Sequence, residues 1–165
     1  MPTTNENLAT AFAGESQANR KYLAFARQAD KEGLPQIARL FRAAAEAETI
    51  HAHYHLGTMG GVRSTLENLE EAVGGETWEY TSMYPPMLAQ AQAENHKSKI
   101  HFNYALEAEK VHARLFKQAL EAMKAGKDLS TMDVYLCPVC GDVEFGEPPE
   151  KCPICGAAKA KYQKV

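Results

Sequence analysis

Up to about residue 125, apolar residues recur at helical spacing. Leu8, Phe12, Ala18, Tyr22, Phe25 and Ala29 form one stripe, and Ile37, Leu40, Phe41 and Ala44 a second. Leu66, Leu69 and Val73 form a third, and Ala105, Phe116, Leu120 and Met123 a fourth. The punctuation agrees with the stripes. Thr3-x-x-Glu6 and Ser64-x-x-Glu67 are capping boxes that open helices one and three, and Pro35 suits the start of helix two. Helix two fades at Gly57, Gly60 and Gly61, and helix four runs from about Lys97 to about Lys124. Pro85-Pro86 predicts a kink or interruption in helix three. The expected fold class is mainly α, a four-helix bundle.

From Val134 the pattern stops. The tail is rich in Pro, Gly and Lys and holds all four cysteines, Cys137, Cys140, Cys152 and Cys155. We expect two domains, 1–128 helical and 129–165 cysteine-bearing, the second too small to fold on an apolar core alone. The chain has 165 residues, 45% hydrophobic and 24% charged, with a net charge of -3. That balance is ordinary for a globular protein and argues against nucleic acid as a partner. No apolar run approaches the ~20 residues of a membrane span, and the first ten residues lack the features of a secretory signal. A cytoplasmic location is the expectation, and in a reducing compartment paired C-x-x-C motifs indicate metal rather than disulfides.

The anomaly is what else sits on the stripes. Glu15 is in register with Phe12 and Tyr22, Glu48 and His51 continue the second stripe, Glu76 follows Val73, and Glu109 and His112 lie between Ala105 and Phe116. An unpaired carboxylate on a core-facing stripe is costly, and these stripes are poor in Lys and Arg. The spacing sharpens the point. Glu48 lies 33 positions after Glu15, and Glu109 lies 33 after Glu76. Gly14 and Gly75 precede the leading glutamates, and both trailing motifs read E-A-E-x-x-H-A. The chain is an internal repeat of two helical hairpins. Each hairpin offers one Glu and one Glu-x-x-His, whose i and i+3 side chains share a helix face. Two such sets form a pseudo-symmetric site for two metal ions. Carboxylate and imidazole suit iron or manganese, and zinc would also bind.

Glu79 breaks the repeat, because its counterpart is Ala18. Spacing leaves it open whether Glu79 is an extra ligand or a solvated charge beside Trp78 and Tyr80. Tyr22 and Tyr84, about two turns beyond Glu15 and Glu76, are candidate hydrogen-bond partners of ligand carboxylates or ordinary core tyrosines. His53, His55, His96 and His101 belong to no such constellation; His55 reads as a helix-end histidine.

Cys137-Pro-Val-Cys140-Gly and Cys152-Pro-Ile-Cys155-Gly are near-identical knuckles. Four thiolates in two C-x-x-C turns make a tetrahedral all-sulfur site for iron or zinc. Tyr135, Phe145 and Tyr162 are available to cover a small core there.

With these segments in hand, the chain resembles rubrerythrins over nearly its whole length. The matching pieces are Ala13-Gly14-Glu15-Ser16-Gln17-Ala18 with Tyr22, Glu48-x-x-His51, Gly75-Glu76-x-x-Glu79 followed by Met83-Tyr84-Pro85, Glu109-x-x-His112 and the C-P-x-C-G pair. The resemblance implies a ferritin-like domain with two Fe ions, fused to a rubredoxin-like domain with one Fe held by four cysteines. It implies reduction of hydrogen peroxide to water in oxidative-stress defence, with electrons from NAD(P)H through a reductase or a rubredoxin. It implies ligation by Glu15, Glu48, His51, Glu76, Glu79, Glu109 and His112, with Glu79 and His51 exchanging at one iron between oxidation states. A ferroxidase or iron-handling protein is the alternative.

One departure concerns the connector. Residues 57–64 reach at most ~29 Å, whereas a ~20-residue helix already spans ~30 Å and a ferritin-like bundle needs a long crossover. This predicts a homodimer in which helices one and two of one chain pack with three and four of the other.

Overall fold

The computed structural model describes residues 1–165. It is mainly helical, with the helix set of a ferritin-like four-helix bundle and a small cysteine module. The elements are α1 (Thr4–Lys31), α2 (Pro35–Thr58), α3 (Thr65–Trp78), a π turn (Glu79–Met83), α4 (Tyr84–Ala93), α5 (Lys99–Lys124), β1 (Val134–Leu136), β2 (Val143–Phe145), a 3₁₀ turn (Lys159–Lys161) and β3 (Gln163–Lys164). Both capping boxes form: the Thr3 and Ser64 side chains accept from the N–H of Glu6 and Glu67, whose carboxylates reach back. The expected third helix exists in three pieces, α3, the π turn and α4. None of the helices is long and apolar enough to cross a membrane. Contacts divide the chain into two units, Met1–Arg63 and Ser64–Val165.

The first unit is the hairpin α1–α2. Its buried residues are all alanine: Ala26 and Ala29 on α1, and Ala38, Ala45 and Ala52 on α2. The α2 alanines recur every seventh position, so one straight seam of minimal side chains faces α1 and lets the backbones approach closely. The Asn19 amide ties the seam, donating to the Ala45 carbonyl at 2.7 Å and to Thr49 Oγ1 at 2.8 Å. Within this hairpin the larger residues expected in the core behave differently. Ile37 and Leu40 are exposed, Leu40 to 69%, because the alanine seam and not the leucine stripe meets α1.

The second unit contains the hairpin α3–α5, α4 and the cysteine module. Helix α5 buries Leu106, Ala108, Ala113, Leu115 and Leu120. The module is a three-stranded antiparallel sheet of order β2-β1-β3, with Tyr135 opposite Glu144 and Lys164. Its two knuckles share one backbone pattern. The Gly141 N–H donates to Cys137 O and the Gly156 N–H to Cys152 O, both at 2.9 Å. Both glycines hold positive φ, the conformation that closes such a turn without a Cβ penalty.

The alanine seam makes a stability prediction. Ala45→Leu adds three heavy atoms at a position 1% exposed and should destabilise the fold by about 1–3 kcal/mol through overpacking. Urea unfolding of the metal-free variant against the parent chain measures this.

Candidate metal centres

In the first unit, Glu15 on α1 and Glu48 and His51 on α2 bring one ligand atom each within 4.8 Å of one another. His51 Nδ1 lies 3.0 Å from Glu48 Oε2, the i,i+3 pair that the motif predicts. Asn19 and Thr49 hold α1 against α2 beside this group. The His51 side chain is 55% exposed and Glu48 18%, so the ring is the less confined of the two. Tyr22 packs its ring 6.3 Å from Phe25 and 6.2 Å from Phe41.

In the second unit, Glu76 on α3 and Glu109 and His112 on α5 form the matching group. His112 Nδ1 is 2.7 Å from Glu109 Oε2 and 3.7 Å from Glu76 Oε2. The other ring nitrogen, Nε2, lies 2.8 Å from the carbonyl oxygen of Gly141. A carbonyl only accepts, so Nε2 carries a proton, and Nδ1 is the ring atom that faces the two carboxylates. At 2.7 Å a proton or a metal cation must lie between Nδ1 and the Glu109 oxygen. Glu76 Oε2 is buried with no hydrogen-bond partner. These residues therefore fit a cation bound through Nδ1, with the Gly141 carbonyl fixing the tautomer from behind.

Burial and the neighbouring Glu109 push Glu76 up to about 7, against a weaker opposite pull from His112. A cavity of about 320 Å³, walled by Leu69, Leu115, Phe116, Leu129, Val143 and Phe145, reaches Glu76 and His112. Burial also raises Tyr84, helped by the charges of Glu109, Glu79 and Glu76. Its phenol thus sits in the field of all three carboxylates and keeps its proton.

Glu79 is the first residue of the π turn. It stands outside the close group of Glu76, Glu109 and His112, though near enough for its charge to act on Tyr84. Single π turns inside helices mark functional sites, because one extra residue is inserted and its neighbours are re-aimed. The sequence carried a signal for it that spacing alone did not decode. Glu76 follows Glu15 by 61 positions, but Tyr84 follows Tyr22 by 62.

The four cysteines gather as expected. Cys137 Sγ and Cys155 Sγ are 3.7 Å apart, and Cys140 Sγ and Cys152 Sγ 3.5 Å. These distances are far from a disulfide and close to the edge, about 3.8 Å, of a tetrahedron with 2.3 Å metal–sulfur bonds. Burial pushes the Cys140 and Cys155 thiols up. Burial acts on Cys152 as well, but the Tyr162 hydroxyl and the N–H groups of Cys155 and Ile154 outweigh it and hold that thiol down. Four thiolates at this spacing are stable only around a cation, so this site also fits a metal. Asn19, Thr49, Asp142 and the Gly141 carbonyl are functional contacts that motif reading did not single out, since each acts through the folded backbone.

The raised Glu76 gives a pH prediction. A carboxyl at about 7 in the fold, against 4.5 ordinarily, keeps a proton that the unfolded chain has lost. The metal-free protein should therefore lose stability as pH rises through that window. Metal must displace the same proton. Calorimetry should show a proton released from Glu76 on metal loading at pH 6, and that release should fade by pH 8 and vanish in Glu76→Gln.

Comparison with known proteins agrees with this geometry. Residues 6–120 match the rubrerythrin family, and residues 135–163 match the rubrerythrin rubredoxin-like domain. The chain is 39% identical to rubrerythrin-2 of Clostridium acetobutylicum, over 97% of this chain and 95% of that one. It is 38% identical to nigerythrin of Nitratidesulfovibrio vulgaris, over 97% and 85%. A solved structure of nigerythrin in a partially reduced state is similar with a TM-score of 0.58 at 36% identity, covering 100% of this chain and 88% of that one. A duplicated Glu and Glu-x-x-His set, joined through one histidine to a four-cysteine module, is thus the build of a rubrerythrin, and the chain belongs to the rubrerythrin family.

Proposed function

We propose that this oxidoreductase is a peroxidase. It reduces hydrogen peroxide to water at a site made from the two Glu/His groups and draws its electrons through the four-cysteine centre. The observation that carries the reading is the 2.8 Å hydrogen bond from His112 Nε2 to the Gly141 carbonyl. It sets a ligand ring one residue from Cys140, so the electron carrier and the reaction site share a short bonded path. Iron in both places would supply Lewis acidity and electrons.

The chain's own residues do the rest. Glu15, Glu48, His51, Glu76, Glu109 and His112 would hold the two ions. Glu79, on the π turn, and His51, the exposed ring, would be the pair that exchanges as the charge of the site changes. Glu79 also offers a carboxylate for proton transfer, and Tyr84 keeps its proton to donate to the ligand carboxylates. The apolar cavity beside Glu76 and His112 limits water. Val139, exposed at the first knuckle, gives a rubredoxin or NAD(P)H-dependent reductase a surface close to the cysteines. The setting is the cytoplasm and the role is defence against peroxide.

The site is completed by a second copy. Residues 59–64 between α2 and α3 span at most ~25 Å extended, while α2, with 24 residues, is about 36 Å long. Such a connector cannot run back along a bundle. Ile37, Phe41, Ala44, Glu48 and His51 follow 4-3-4-3 spacing, so the exposed apolar stripe and the ligands occupy one face. A swapped homodimer buries that face and brings three ligands from each chain together.

Three outcomes are expected. In stopped-flow mixing of anaerobically reduced, iron-loaded protein with limiting hydrogen peroxide, the visible absorption of the ferric four-cysteine centre should return in proportion to peroxide. Oxidation of the Glu/His site without that colour would favour the iron-handling reading instead. Glu79→Ala should slow turnover about a hundredfold with both sites loaded; unchanged turnover removes Glu79 from the mechanism. Leu40→Glu should sediment as monomer and lose Glu/His-bound metal while keeping the four-cysteine colour.

A further inference from the structure

Asp142 is the one charged residue that is fully buried, at 0% exposure. It follows Gly141 in the first knuckle. Its backbone carbonyl accepts from Cys137 N–H at 2.8 Å. Its side chain does something separate. Oδ2 accepts from the Tyr162 hydroxyl at 2.6 Å and lies 3.6 Å from Cys152 Sγ. Oδ1 is buried with no partner.

The second knuckle is an internal control. There the corresponding residue is Ala157, whose carbonyl accepts from Cys152 N–H at 2.7 Å. A methyl group therefore serves the same turn, so the fold does not require a carboxyl at position 142. Burying one with an unpaired oxygen is unfavourable, and this one is placed against a ligand sulfur. The Tyr162 hydroxyl is within reach of both Asp142 and Cys152. It has one hydrogen to give, and Asp142, at 2.6 Å, competes with the Cys152 sulfur for it.

We infer that Asp142, by facing the Cys152 sulfur and taking the Tyr162 hydrogen, lowers the reduction potential of the metal held by the four cysteines. The inference rests on the reading that this metal is iron. Reduction adds one electron to a centre already surrounded by four thiolates. Hydrogen-bond donors to sulfur favour that electron, and oxygen lone pairs near sulfur oppose it. Asp142 supplies the second and withholds the first. Tyr162 in turn screens Asp142 from the sulfur. A lower potential makes the centre a stronger donor to the site at His112, toward which the adjoining Gly141 carbonyl points.

The test is a spectroelectrochemical titration of the full-length, iron-loaded protein, following the ferric four-cysteine absorption. Asp142→Asn should raise the potential by about tenfold in the one-electron equilibrium, ~59 mV. Tyr162→Phe should lower it, because the carboxyl then faces the sulfur unscreened. This pair of opposite shifts supports the inference. No shift in either variant, or shifts of reversed sign, overturns it. If Asp142→Asn fails to hold iron, Asp142→Ala, which copies the residue at this place in the second knuckle, decides instead: a rise supports the inference, and no change or a fall overturns it. A native protein that takes only zinc at the cysteines overturns the iron reading and this inference with it. Iron-loaded protein with unshifted potentials overturns only the inference.

Discussion

Carboxylates and imidazoles stand here where amphipathic helices ordinarily carry leucine, and that substitution governs the rest of the helical part. Such a stripe cannot be buried against itself. Glu109 and His112 meet at 2.7 Å, and burial with the neighbouring Glu109 pushes the Glu76 carboxyl up to about 7. A cation in the gap would relieve the repulsion between these carboxylates, so metal binding would add to the stability of this region. The same logic is repeated with sulfur in the module, where burial forces protons onto thiols that a metal would displace.

Around that requirement the chain divides its labour. Alanines make the α1–α2 contact, which brings Glu15 close to Glu48 and frees the larger apolar side chains for another surface. Asn19 and Thr49 lock that contact with two short hydrogen bonds. In the second unit, the backbone of the cysteine knuckle orients a ligand ring. One carbonyl therefore fixes the tautomer of His112 and joins the two centres.

Much of this was legible in the sequence, for definite reasons. Glu48-x-x-His51 and Glu109-x-x-His112 are read from helix periodicity, because i and i+3 share a face whatever the tertiary structure. The capping boxes at Thr3 and Ser64 are equally local. The cysteine knuckles announce themselves by spacing. What was not legible depends on contacts between distant segments. The core role expected of Ile37 and Leu40 failed within the hairpin because a periodic stripe does not say which partner it meets. The approach of Gly141 to His112 spans 29 positions and leaves no local pattern. Asp142 looks like any turn residue until Cys152 and Tyr162 are brought against it.

The π turn at Glu79–Met83 has a consequence for the history of the chain. The two hairpins are copies, and a faithful copy would hold two equivalent ions. One substitution and one inserted residue end that equivalence. Glu79, where the first half has Ala18, adds a carboxylate to one half, and the π turn that follows takes up the inserted residue and keeps Tyr84 near the ligands. A single-codon deletion in this turn would restore an unbroken helix and move every later side chain of α4 about 100° around its axis. The two halves therefore differ here by one substitution and one inserted residue.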